Sequence, residues 1–194
     1  MSSPFPSELT AAAHGGRVAW VFDAKGVRNV WVADGPDFIH TARQLTHYSA
    51  DDGQPIASLR LTPDGATVLY ALGSELNDAQ GREGHSLVAV YDFDGGSIRY
   101  LAPSVDKDSM PRWSSDSKWI VFVRAAGDEA KLPLIPVRAQ PWSLWIADAV
   151  TGTGRLLWRS GEKIEDSLPR HSEDGSLNVA ADGRVIFSTC GAWR

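Results

Sequence analysis

The sequence predicts an all-β fold: β-propeller blades of four antiparallel strands, about three full blades plus part of a fourth. Three observations lead there. Short apolar runs recur along the 194 residues, turn signals rich in Gly, Asp, Ser or Pro separate them, and no comparable helical periodicity interrupts them.

The runs fall into four sets. The first is RVAWVF (17–22), TVLYAL (67–72), WIVFVR (119–124) and RVIFST (184–189), each preceded by a turn signal: HGG, PDGA, SDSK or ADG. The second is NVWVAD (29–34), LVAVYD (87–92) and LWIADA (144–149). A third set, ARQLTH (42–47), SIRYLAP (97–103) and GRLLWRS (154–160), carries Leu45, Leu101 and Leu157 at a constant spacing of 56 residues. The fourth, ASLRLTPDG (57–65), SMPRWSSDS (109–117) and SLNVAADG (176–183), leads into the turns. In Pro63-Asp64-Gly65, Pro presets φ, Asp supplies an acceptor and Gly tolerates positive φ, which closes a tight turn. The repeat units run over 8–65, 66–117 and 118–183, and the next starts at 184–194. Asp108-Ser-Met-Pro-Arg112 echoes Asp166-Ser-Leu-Pro-Arg170, which places an insertion near 171–176. The passage from TVLYALGSELN to EGHSLVAVYDF reads as a junction between an early blade and a later one.

Composition narrows the function classes. The length suits one domain, and 43% hydrophobic with 22% charged residues is ordinary globular usage. A net charge of -5 with scattered Lys and Arg leaves no footprint for nucleic acid. Cys190 is the single cysteine, so neither an intramolecular disulfide nor a multi-cysteine zinc site can form. The first residues lack the basic and apolar regions of a signal peptide, and no apolar run reaches a membrane span; the expectation is a cytoplasmic chain without membrane partners or cofactors.

Trp113-Ser-Ser-Asp116 and Leu61-Thr-Pro-Asp-Gly65 resemble the turn of TolB-like, WD40-like PD40 repeats. Longer stretches, GVRNVWVADGPDF, RQLTHYSADDGQPI and PWSLWIADAVTGTGRLLW, resemble the N-terminal propeller of prolyl-oligopeptidase-family serine peptidases of the dipeptidyl-peptidase-like and acylaminoacyl-peptidase-like kind. The resemblance covers most of residues 8–189 and implies the non-catalytic half of such an enzyme, whose α/β-hydrolase domain carries the Ser, Asp and His. It implies that domain, a peptide or a partner protein as the contact. An alternative is a stand-alone TolB-like scaffold for protein–protein interaction. The family's propellers have seven or eight blades, so an array this short is expected to be open and to self-associate through its blade edges.

No Gly-x-Ser-x-Gly elbow occurs, and Gly84-His-Ser-Leu-Val88 lacks the second glycine. Ser115 and Lys118 fit Ser-x-x-Lys but occupy the turn filled elsewhere by Pro63–Ala66, so no catalytic residue is assigned. Asp92-Phe-Asp94-Gly-Gly96 opens like a calcium loop yet has Pro103 where a bidentate Glu is needed. Three groups keep functional weight. Asp51 with Asp52, and Glu165 with Asp166, are acidic pairs able to hold a peptide α-amino group by charge-assisted hydrogen bonds. Arg60 and Arg112, with Arg170, precede turn signals by three residues and could ring one level to bind a carboxylate, or pair with an Asp inside each blade. The segment 127–141, with Leu134, Ile135 and three prolines, suits docking of a partner domain.

Overall fold

The computed structural model describes residues 5–51, 54–73, 86–127, 139–167 and 175–189. Fourteen strands account for most of them. A first sheet joins β1 (Phe5–Ala11), β2 (Arg17–Ala24), β3 (Val27–Asp34) and β4 (Arg43–Gln44) in chain order. A single helical turn, α1 (Phe38–Thr41), lies between β3 and β4; Asp37 caps it by accepting from the His40 amide. The next set is β5 (Ile56–Leu61), β6 (Thr67–Gly73), β7 (Ser86–Asp92) and β8 (Ser97–Tyr100), again neighbours in order. Then follow β9 (Lys107–Trp113), β10 (Trp119–Ala125), β11 (Trp142–Asp148) and β12 (Gly154–Arg159), and last the hairpin β13 (Gly175–Val179) and β14 (Val185–Thr189).

The four sequence sets are thus the second, third, fourth and first strands of successive sheets. The strand sets β5–β8 and β9–β12 are joined in one eight-stranded sheet by a parallel contact of β7 with β9, Ser86 opposite Lys107. TVLYALG and SLVAVYD are neighbouring strands, so the junction expected between them completes one sheet. Sequence reading missed β1, whose FPSELTA carries neither alternation nor a strong β-former run. β14 follows Ala181-Asp182-Gly183, but Gly175 and Ser176 belong to β13 and so are not inserted residues.

Contacts divide the chain into two compact units, Met1–Gly73 with Ala89–Arg99, and Ser74–Val88 with Tyr100–Arg194. In the first, period-two alternation sends Ala19, Val21, Val30 and Val32 from β2 and β3 against Leu59, Leu61, Val68 and Tyr70 from β5 and β6. Arg17 spans these two sheets: it pairs with Asp34 beside it, donates to the Gly65 carbonyl at 2.8 Å and lies 4.5 Å over the Phe93 ring. The arginine holds the Asp34 carboxyl below its usual range. In the second unit, Val121, Val123, Trp142 and Leu144 pack on Leu177, Val179, Val185 and Phe187 of the hairpin.

Two local devices recur. The first strand of each full sheet carries a bulge at a non-glycine residue with positive φ, Glu8 (56°), Ser58 (55°) and Met110 (52°), where the pairing register slips. A bulge frees one backbone N–H from the ladder. Glu8 accepts that of Leu59 through Oε2 at 3.2 Å, and at the equivalent place after Met110 stands Pro111, which has none to satisfy. The second device is the turn between first and second strands. Gly65, Ser117 and Gly183 all have positive φ and donate to the carbonyls of Thr62, Ser114 and Ala180 at 2.9–3.0 Å. Asp64, Asp116 and Asp182 accept the amides of Ala66, Lys118 and Arg184 in turn.

Ser117 therefore holds at φ 58° a place that Gly takes twice. Ser117→Gly is expected to raise stability by about 0.5–1 kcal/mol, because relief of left-handed strain outweighs the added backbone entropy. Urea denaturation measures it, and a loss of stability would contradict the shared turn geometry.

Candidate functional site

Antiparallel order separates the connections of each sheet into two edges. One edge carries the tight turns 12–16, 62–66, 114–118 and 180–184, the β7–β8 and β11–β12 turns, and the connection bearing α1. The other carries the two-residue β2–β3 turn, the β8–β9 connection 101–106 and the four longest connections, 45–55, 74–85, 126–141 and 160–174.

The acidic pairs fall on the long-connection edge. Asp51 is exposed, and its carboxylate lies against Gly26 in the β2–β3 turn, where any Cβ would collide with it. Asp52 lies outside the described residues. In the second unit, Glu165 and Asp166 sit on a single 3-10 turn, Ile164–Asp166, between β12 and β13. Asp166 turns back on its own backbone, accepting from the Lys163 amide, while Glu165 faces solvent. Two hydrogen bonds join this connection to the end of the β10–β11 connection and the start of β11: the Gln140 amide donates to Ser167 Oγ at 2.9 Å, and Trp142 Nε1 to the Asp166 carbonyl at 3.0 Å. Leu134 and Ile135, in the middle of that connection, lie outside the described residues, as does Arg170.

Arg60 and Arg112 occupy equivalent places, two residues past the bulges of β5 and β9. Each folds over its own strand, donating to the carbonyl just before it, Leu59 at 2.7 Å and Pro111 at 2.9 Å. Arg–Asp pairs also form elsewhere, between Arg17 and Asp34 and between Arg124 and Asp108. Ser115 and Lys118 lie in the β9–β10 turn, where Ser115 Oγ donates to the Ala181 carbonyl and the Lys118 amide to Asp116. Among the described residues no group of three His, Cys, Asp or Glu side chains could hold a metal.

The most elaborate polar site is one that sequence reading passed over. Arg124 and Asp108 face each other across β9 and β10, with side chains 7% and 0% exposed. The guanidinium donates to both Asp108 oxygens, at 2.6 and 2.8 Å, and to the Ala102 carbonyl at 2.6 Å. Trp145 lies 4.5 Å over it and Phe122 5.3 Å. Burial pushes the Asp108 carboxyl up to about 6 against the pull of Arg124. An open pocket of about 440 Å³ is lined by Arg124 and Trp145, Tyr100 and Pro103, and the Thr151–Gly154 turn. The available signal was the lone Arg ending the apolar run WIVFVR, in register with the Asp at the second position of the preceding strand.

No family model and no curated protein sequence matches the chain. Solved structures do. The whole chain aligns with a TolB-like protein from Agrobacterium tumefaciens over 60% of that chain, at 16% identity and a TM-score of 0.60. The fold is that of β-propeller blades. A prolyl endopeptidase is matched by 96% of this chain over 26% of its own, at 15% identity and a TM-score of 0.59. For an acylaminoacyl peptidase from Pyrococcus horikoshii the values are 98% over 32%, at 14% identity and a TM-score of 0.55. The blades are therefore similar both to TolB propellers and to the propeller domains of those peptidases, and the chain spans no more than about a third of either peptidase. No helix among the described residues is long and apolar enough to cross a membrane.

The buried pair of the third blade gives a signed pH prediction. Asp108 binds its proton more tightly folded (about 6) than unfolded (3.8). Its contribution to stability is thus greatest below the unfolded value and falls as pH rises through the folded one. Carbon-13 NMR should show one carboxyl titrating near 6 that is lost in Asp108→Asn. That variant leaves Arg124 buried without its counter-charge and should lose about 3–5 kcal/mol in urea denaturation at pH 7. A carboxyl titrating at the ordinary value would contradict the burial argument.

Proposed function

We propose that the chain is a non-catalytic propeller segment that contacts a peptide, or a hydrolase domain of the serine-peptidase kind, through its long-connection edge. One observation carries the reading: within each unit the longest connections, 45–55 in the first and 126–141 and 160–174 in the second, all leave the strand ends opposite those that carry the first-to-second-strand turns. Loops held on a rigid scaffold are where contact residues concentrate. Support comes from Gln140 and Trp142, whose bonds to Ser167 and Asp166 order the base of this edge in the second unit. Glu165 is the exposed carboxylate for a peptide amino group; Asp51 serves similarly in the first unit, with Asp52, and Leu134 and Ile135 supply an apolar contact. Arg60 and Arg112, on inner strands, remain candidates for a carboxylate. For the prolyl endopeptidases that the blades resemble, inter-domain dynamics bear on catalysis and specificity. An edge that meets a second domain fits that behaviour. With a single cysteine, the chain needs no oxidising compartment and belongs to the cytoplasm under this proposal.

A second reading, a stand-alone scaffold for another protein, is favoured by the match that spans 60% of a TolB-like chain at the highest of the three TM-scores given above. Both readings place the contact on the same edge.

Nitrogen-15 NMR titration with short unmodified peptides tests the proposal. Shifts are expected at Gln140–Trp142 and Glu165–Ser167, without cleavage and without fluorophosphonate labelling. Glu165→Gln should weaken binding of free-amine peptides about threefold to tenfold and leave N-acetylated ones unchanged. Shifts confined to 114–118 and 149–153, or labelling of Ser115, would overturn it.

A further inference from the structure

The outer strand of the third blade differs from its counterparts. β4 has two residues and β8 four, whereas β12 has six, Gly-Arg-Leu-Leu-Trp-Arg. Among the described residues only β11 pairs with it, and none of them covers the other side of its backbone. Leu45 and Leu101 of the repeat are buried, yet Leu157 at the same spacing is 39% exposed, beside Leu156 at 44% and Trp158 at 48%. Among the described residues neither Arg155 nor Arg159 is in an ion pair, although both are exposed.

The register assigns each side chain to a face. Arg155 and Trp158 lie opposite Ile146 and Leu144, on the face toward the β13–β14 hairpin. Gly154, Leu156 and Arg159 lie opposite Ala147, Trp145 and Ser143, on the other face. Leu157 is the extra residue of a bulge.

We propose that β12 is a homodimer edge, pairing antiparallel with β12 of a second copy. A two-fold axis normal to a sheet keeps each face continuous across the pair, so only residues of one face can stand opposite each other. One register satisfies this along the whole strand. It sets Arg155 against the second copy's Trp158, Gly154 against its Arg159, and brings the two Leu156–Leu157 bulges together at the axis. Each Arg–Trp pair is a cation–aromatic contact, and the four leucines exclude water between them. The strand is thus complementary to itself in charge and apolar character, which favours a second copy over a foreign strand. A strand pair of this length falls short of the roughly 1,200 Å² that a stable interface buries, and the bulge shortens the ladder. The dimer is weak and reversible, and it does not depend on the function proposed above.

Sedimentation equilibrium of the full chain tests this. A concentration-dependent dimer is expected, with a dissociation constant of about 10–1,000 μM. Leu157→Lys, half-exposed and outside both cores, should be monomeric throughout that range with an unchanged thermal transition. Arg155→Glu should weaken the dimer by about fivefold or more. In a Cys190→Ser background, mixed Leu156→Cys and Leu157→Cys chains should form disulfides faster than either alone. A monomer at about 1 mM, a dimer that both charge variants leave unchanged, or equal cross-linking of all pairs would overturn the proposal; a dimer insensitive to them would place association elsewhere.

Discussion

A sheet of four short strands has two faces and no interior, and the rest of this structure follows from that constraint. Within each unit the apolar face of one sheet is covered by the next: β2 and β3 by β5 and β6, and β10 and β11 by β13 and β14. The residues that face this cover therefore alternate along the strand, while β6 and β10 are buried on both faces. Burying Leu59, Tyr70, Val123 or Leu177 requires two sheets in register, so stability is a property of neighbours.

Polar groups are arranged around the same requirement. Arg17 reaches from its own Asp34 to Gly65 and Phe93 of the following sheet. Glu8 takes up the amide that the β5 bulge releases. Arg124 and Asp108 occupy the face of the third blade opposite the one packed on the β13–β14 hairpin, roofed by Trp145 and beside the buried Phe122. A buried ion pair of this kind is weak evidence for stability and better evidence for register, because removing either partner strands a charge. At the opposite strand ends, Asn29 binds the Tyr48 backbone and Trp142 the Asp166 carbonyl, and the proposed contact with a peptide or domain lies there.

Much of the fold was legible because its signals are repetitive. Apolar runs at near-constant spacing fell on second, third and fourth strands, and the Pro63-Asp64-Gly65 pattern located the turn that Ser114–Lys118 also makes. Other features left no trace in residue type. Glu8, Ser58 and Met110 share a bulge conformation while having unrelated side chains, and β1 is short of β-formers. The spacing that links Leu45, Leu101 and Leu157 also misleads, since the longer β12 places Leu157 mid-strand and exposed. Arg124 and Asp108 meet only once β9 and β10 are aligned, whereas Arg60 and Arg112 are marked by their distance from a turn signal. Loop carboxylates such as Glu165 can be placed from sequence, but whether they face solvent or their own backbone, as Asp166 does, depends on local turn geometry.

Hydrogen exchange of Leu59→Ala tests the dependence of each sheet on its neighbour most directly. Leu59 is fully buried between β2–β3 and β5–β6, and its truncation should cost about 2–5 kcal/mol. If burial between sheets holds the unit together, amides of β2 and β3 will lose protection together with those of β5 and β6. Loss confined to β5 and β6, with β2 and β3 unchanged, would contradict the account.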